Sequence, residues 1–327
     1  MQQFFYLINY CIVTFIIVNI LSFIASEYQI LRPDEEARLK EGKTFWEWTT
    51  PEKTTANIHY IERGTGSNHI LLVHGFRCNT YTWRHLIDPL AEAGFHVWCI
   101  DLLGFGLSDK PYLNYSLELF IKQIHDFMDG HEIPKAHFIG NSMGGGLSIT
   151  MALDFPSRVN SLTLISPLGY PIEIPLYISI GKHLSMFWTP FLGSTMIRKG
   201  LEQIVYNKDS IQEEQVEAYR LPYSLAGGAA AALSTLKSFD NQKLEDLSRR
   251  YPEIGCPLFV IWGNNDTLIP IEHFKLFCKD FPSAKKLLIE ECGHIPQEEK
   301  PEEIKASVLS FLREIYNPSF EYIPMMR

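Results

Sequence analysis

Short apolar runs recur along the chain, each ending at a cluster of small or polar residues. Residues 70–73, 97–100, 137–139, 162–165, 258–262 and 287–289 are almost continuously apolar rather than alternating. That is the pattern of strands covered on both faces of a parallel sheet. Residues 57–62 alternate instead and stop at Gly64-Thr65-Gly66, as a strand with one wet face followed by a turn. Helical periodicity fills the intervals around residues 86–93, 117–128 and 142–153. The clearest helix opens at Pro301 and aligns Ile304, Val308, Phe311, Leu312 and Ile315 on one face. Alternating strands and helices predict the α/β class, a doubly wound and mostly parallel sheet. Residues 168–247 break the rhythm: no buried-strand signal appears, and Met186, Phe187, Trp188, Phe191 and Leu192 stand among helical stretches and alanines. We read this segment as a helical cap inserted between two sheet strands.

The N-terminus follows a different pattern. Residues 1–26 carry no charged side chain, and residues 4–25 are nearly all apolar. About 22 residues of helix rise roughly 33 Å, enough to cross a hydrocarbon core. A cleaved signal peptide would carry a basic start, a shorter apolar run and a small-x-small cleavage site. Met1-Gln2-Gln3 has no Lys or Arg, and Phe23-Ile24-Ala25 is a poor cleavage context. The expectation is therefore a single-pass N-terminal membrane anchor over 1–26, preferred to secretion after cleavage. A polar lead-in over 27–56 follows, with Trp46 and Trp48 placed near the membrane interface. The core is then expected over 57–167 and 248–317, with a tail over 318–327.

Composition narrows the function classes. The 327 residues are 46% hydrophobic and carry a net charge of −9. Clustered Lys and Arg, which phosphate contacts require, are absent, so no nucleic-acid partner is expected. Six cysteines stand singly, without zinc-like spacing, and read as free thiols rather than a metal site or a disulfide framework. Gly104-Phe105-Gly106 lacks a third glycine, and no Gly-Lys-Ser/Thr occurs, so no nucleotide loop is present. Neither a cofactor nor a metal is implied.

Ligands in open parallel sheets lie at the carboxyl ends of strands, and reactive side chains gather there. His74-Gly75-Phe76 follows the run 70–73, Ser142 the run 137–139, Asp266 the run 258–262, and His294 the run 287–289. The pattern Gly140-x-Ser142-x-Gly144, continued by Gly145 and Gly146, suits a strand-to-helix turn sharp enough to lift a serine hydroxyl above the sheet. Glycines in an opening helix turn cost roughly 1 kcal/mol each, which implies that larger residues do not fit. A serine needs a base to take its proton, which assigns His294. A base needs its other nitrogen held, which assigns Asp266. The turn after the preceding strand, Ser166-Pro167-Leu168, offers no carboxylate. The backbone N–H groups of Met143 and Phe76 are the candidate oxyanion donors. His74, Asp101 and Asn141 are read as loop-building residues.

Together, His74-Gly75-Phe76, the stretch from Asp101 to Asp109, Gly140-Asn141-Ser142-Met143-Gly144-Gly145, Asp266 and Cys292-Gly293-His294-Ile295-Pro296 resemble the α/β-hydrolase family over roughly residues 57–316. The resemblance implies a catalytic triad Ser142, Asp266, His294 with Phe76 and Met143 as the oxyanion hole. Epoxide hydrolases and haloalkane dehalogenases share the layout but use an aspartate nucleophile where Ser142 stands. The segment around Ser142 is similar to the meta-cleavage carbon–carbon bond hydrolases, which usually carry a tryptophan where Ile295 stands here. An anchor ahead of such a domain resembles the monoacylglycerol lipase branch. The leading expectation is a serine esterase of apolar or acyl-lipid esters. A carbon–carbon hydrolase and a ligand receptor with little turnover are the alternatives.

Overall fold

The computed structural model describes residues 30–172 and 193–316. Eight strands form one sheet in the order β1-β2-β4-β3-β5-β6-β7-β8. They are β1 Thr44–Thr49, β2 Thr55–Arg63, β3 His69–Val73, β4 His96–Ile100, β5 Ala136–Asn141, β6 Val159–Ile165, β7 Leu258–Gly263 and β8 Lys285–Ile289. The first two pairings, β1 with β2 and β2 with β4, are antiparallel, and every later one is parallel. The continuous apolar runs are the central strands, and both faces are covered as the pattern requires. Along β3, Leu71 and Val73 join the cluster under α3 (Leu117–Gly130) and α4 (Met143–Asp154), whereas Ile70 and Leu72 join the one under α2 (Ile87–Glu92) and α11 (Pro301–Tyr316). The predicted face of α11 is buried at Ile304, Val308, Phe311 and Leu312.

The lead-in departs from the expectation. It contains α1 (Pro33–Lys40) and the edge strand β1. Trp48 is buried with its indole N–H on Asp126 at 2.9 Å, and Trp46 packs edge-on against Phe127 of α3. These tryptophans cover the sheet rather than meeting a bilayer, because the antiparallel strand gives them an apolar face to fill. Among the described residues no helix is long and apolar enough to cross a membrane. The apolar stretch 4–25 lies outside them.

Between β6 and β7 the described part of the insertion is helical: α5 (Ser194–Ile204), α6 (Glu213–Arg220), α7 (Gly228–Ser238) and α8 (Asn241–Arg249). Ile197, Leu201, Val216, Tyr219 and Tyr223 make a small core of their own, joined by Ile295 from the sheet domain. Two further helices complete the fold, α9 (Ile271–Asp280) after β7 and α10 (Pro296–Glu299) just before α11. Cys78, Cys99, Cys256, Cys278 and Cys292 are free thiols.

Candidate active site

Ser142 stands between β5 and α4 with φ 55° and ψ −121°, a backbone region that side chains other than glycine rarely adopt. The turn is held on every side. Ser142 N–H donates to Ile165 O at 3.0 Å, and Ser142 O accepts from Leu168 N–H at 2.8 Å and Gly146 N–H at 3.2 Å. The flanking glycines are compulsory on steric grounds. A Cβ on Gly140 would lie 2.4 Å from Gly144 O, and one on Gly144 would lie 2.1 Å from Val73 O. Met143 begins α4, so its N–H is among the leading helix donors with no intrahelical carbonyl.

The second oxyanion candidate lies in the turn after β3. Cys78 N–H donates to Gly75 O at 3.1 Å, with Arg77 at φ 63°. A Cβ on Gly75 would lie 3.0 Å from Ser142 Cβ, so this turn is pressed against Ser142. The Phe76 ring is wedged edge-on between Phe105 and Phe239 of the cap. His74 braces the turn: Leu102 N–H donates to its Nε2 at 3.0 Å, so Nδ1 carries the proton and donates to Gly75 O at 2.8 Å. Complete burial holds this imidazole below its usual pKa and keeps it neutral. Asp101 accepts from Thr80 N–H at 2.6 Å and Leu107 N–H at 2.8 Å and contacts His59 at 2.7 Å. Both residues build loops, as expected.

Asp266 and His294 are brought together. Asp266 Oδ2 lies 2.7 Å from His294 Nδ1, while Oδ1 accepts from Leu268 and Ile269 N–H, each at 2.9 Å. The second pair of bonds fixes the carboxylate plane, and the carboxylate fixes the imidazole tautomer. His294 Nε2 is buried and makes no hydrogen bond, so Ser142 and His294 are not bonded to each other in this state. Asn141, the residue before Ser142, donates through Nδ2 to His294 O at 3.2 Å and Ile165 O at 3.0 Å. It thereby ties the elbow to the histidine loop.

Contacts from the cap were invisible in the sequence. The carboxyl end of α5 meets the loops of both Asp266 and His294: His294 N–H donates to Ile204 O at 2.7 Å and Thr267 Oγ1 donates to Gln203 O at 2.5 Å. Glu298 and Glu299 follow His294 and also reach the cap. A helical spacing points no residue at a segment 90 positions away, so no signal marked them. A cleft of about 730 Å³ lined by Lys43, His59, Arg63, Tyr81 and Arg84 contains none of the triad residues. His125, Asp126 and Asp129 place ligand atoms within 4.8 Å of one another. Lys122 and Trp48 already engage Asp126, and Arg158 engages Asp129, so this group does not read as a metal site.

A serine on a strained elbow at a helix N-terminus and a carboxylate-held imidazole fit the hydrolase class. The alpha/beta hydrolase fold family model matches residues 68–188 and 212–301, and the chain belongs to that family. It is 30% identical over 269 residues to a 2-hydroxy-6-oxononadienedioate/2-hydroxy-6-oxononatrienedioate hydrolase of Burkholderia vietnamiensis, covering 80% of this chain and 92% of the relative. It is 28% identical over 290 residues to a 2-hydroxy-6-oxo-6-phenylhexa-2,4-dienoate hydrolase of Comamonas testosteroni, covering 84% and 99%. Among solved structures, a membrane phospholipase A superposes with a TM-score of 0.67 at 23% identity, covering 97% of this chain and 100% of that one.

Proposed function

We propose that this enzyme cleaves carboxylic esters of apolar or acyl-lipid substrates through a covalent acyl-enzyme. The observation that carries the reading is the buried Asp266–His294 pair at 2.7 Å, with His294 Nε2 left without a hydrogen-bond partner and the His294 carbonyl tied to the Ser142 elbow through Asn141. In this mechanism Nε2 takes the Ser142 hydroxyl proton as Oγ attacks the ester carbonyl. The developing oxyanion is met by the N–H groups of Met143 and Phe76, each such donor being worth about 3–4 kcal/mol. The imidazolium then gives its proton to the departing alkoxide. Water, deprotonated by the same imidazole, attacks the acyl carbon and returns the serine. No group from outside the chain is needed.

The apolar stretch 4–25 supports a membrane anchor, which would hold the catalytic domain where acyl lipids are concentrated. Partition of the full chain, and not of residues 30–327, into the membrane fraction is the expected result. A carbon–carbon bond hydrolase is the second reading, favoured by what the two relatives are named for. Ile295, where that group usually has tryptophan, weighs for the ester.

The deciding experiment measures turnover of aryl esters of increasing acyl length beside a vinylogous 1,5-diketone, with Ser142→Ala alongside. Ester turnover that rises toward medium and long chains and falls by about 10⁴-fold or more in the variant is expected. Diketone turnover with esters inert would reverse the assignment.

A further inference from the structure

The base of the triad is tied to the cap by one carboxylate. Glu299 Oε1 accepts from Gly293 N–H at 2.9 Å, next to the histidine, and Oε2 accepts from Tyr206 N–H at 2.7 Å, two residues past the end of α5. The same strip of cap is already on the histidine loop, since Ile204 O accepts from His294 N–H at 2.7 Å. A Cβ on Gly293 would lie 2.2 Å from Ile204 O, so loop and cap touch backbone to backbone. Burial raises the Glu299 carboxyl above its ordinary range, and the N–H groups of Tyr206, Gly293 and Ile295 draw it back down. Glu298, one residue earlier, points elsewhere. It pairs with Arg84 at 2.6 Å, accepts from Thr82 at 2.7 Å and Gln215 of α6 at 3.0 Å, and contacts Tyr219. Adjacent carboxylates thus hold two different cap elements, and only Glu299 also holds the loop that carries the base.

We propose that Glu299 is a positioning residue that locks the His294 loop to the cap segment after α5, so that the seat of the cap sets where the catalytic imidazole stands. The proposal rests on His294 being the base. Both oxygens are needed, because each satisfies a different backbone N–H. A glutamine keeps the shape but turns its NH₂ toward one of those donors, breaking one of the two ties.

Steady-state kinetics on the preferred aryl ester and thermal unfolding test this on the full chain. Glu299→Gln should lower kcat by about 10²-fold, the scale of a misplacement near 1 Å, with KM little changed. Tyr206→Pro deletes the N–H on the cap side. Val205 before it is extended (φ −98°, ψ 151°), as a residue preceding proline must be, and the half-exposed Tyr206 ring is a minor loss. It should lower kcat in the same sense. Glu298→Gln, the control, should lower the unfolding temperature or raise KM while kcat holds. Equal kcat in Glu299→Gln and the parent, or a Glu299→Gln that loses only stability as Glu298→Gln does, overturns the proposal. Should Glu299→Gln fail to fold, an unchanged kcat in Tyr206→Pro does the same. Ser142→Ala run beside them separates this from the triad itself: activity surviving that variant sinks the triad reading, and its loss with full activity in Glu299→Gln sinks only the positioning role.

Discussion

Ser142 holds a left-handed backbone at a cost of order 1–3 kcal/mol, and its neighbours leave no room to relax. Adding one methyl at Gly144 drives a Cβ to 2.1 Å from Val73 O, a backbone atom in a central strand that cannot yield. Gly144→Ala should therefore lose at least about 2–3 kcal/mol of stability, measurable by urea denaturation, with activity falling further than the folded fraction. At the other end of the triad, Asp266 accepts two backbone N–H groups and holds His294 Nδ1. Asp266→Asn keeps the shape but offers an NH₂ where an acceptor is needed, so the imidazole turns to the wrong tautomer. We expect kcat to drop by about 10³–10⁴-fold, with the unfolding temperature nearly unchanged. The elbow at Ser142 and the loops of Asp266 and His294, which the structure joins at 2.7 Å, were candidates in the sequence because each follows a recognisable strand. Glu299 was not: its partners, Tyr206 and Gly293, are brought to it by the cap's return onto the sheet.

The elements follow their residue patterns where burial is two-sided and depart from them at the edge. Strands β3, β5, β6 and β7 are buried along almost their whole length because helices cover both faces. β1 was not foreseen: Thr44–Thr49 mixes threonine, glutamate and tryptophan, a pattern a polar connector also allows. Pairing decides it, since β2 offers an antiparallel edge from Thr44↔Tyr60 to Thr49↔Thr55. Trp48 then becomes a buried anchor of the edge, with its indole N–H on Asp126. Trp48→Ala should cost about 3–5 kcal/mol and leave kcat of the folded enzyme intact, because β1 lies at the sheet margin opposite β8. Equilibrium unfolding with parallel kinetics reads both.

Across the whole molecule, the cap and the sheet domain also meet at Lys110, buried under the start of α7. A Cβ on Gly227 would strike Lys110 O at 2.3 Å, and Lys110 Nζ donates to Gly106 O at 2.7 Å and Ser108 O at 2.6 Å. Burial pushes this ammonium down to about 7, helped by Lys40 and opposed by Asp101, Asp109 and Glu36. The folded chain thus binds fewer protons here than the unfolded chain between about pH 7 and the ordinary lysine value of 10.5. Stability from this group accordingly rises with pH across that window and is flat below it. Urea unfolding between pH 6 and 10 should show a slope in the parent that Lys110→Met removes; parallel curves would assign the slope to other groups.

By itself the sequence determined the α/β alternation, the four strand ends that carry His74, Ser142, Asp266 and His294, and the glycine frame around Ser142. These depend on local rules: which faces are buried, and where a Cβ has no room. Only the tertiary structure decided that the lead-in becomes an edge strand and that the carboxyl end of α5 and Glu299 grip the histidine loop. Those contacts join residues up to 93 positions apart. A backbone carbonyl or N–H has the same chemistry at every position in a chain. Only the folded path shows which of them meet.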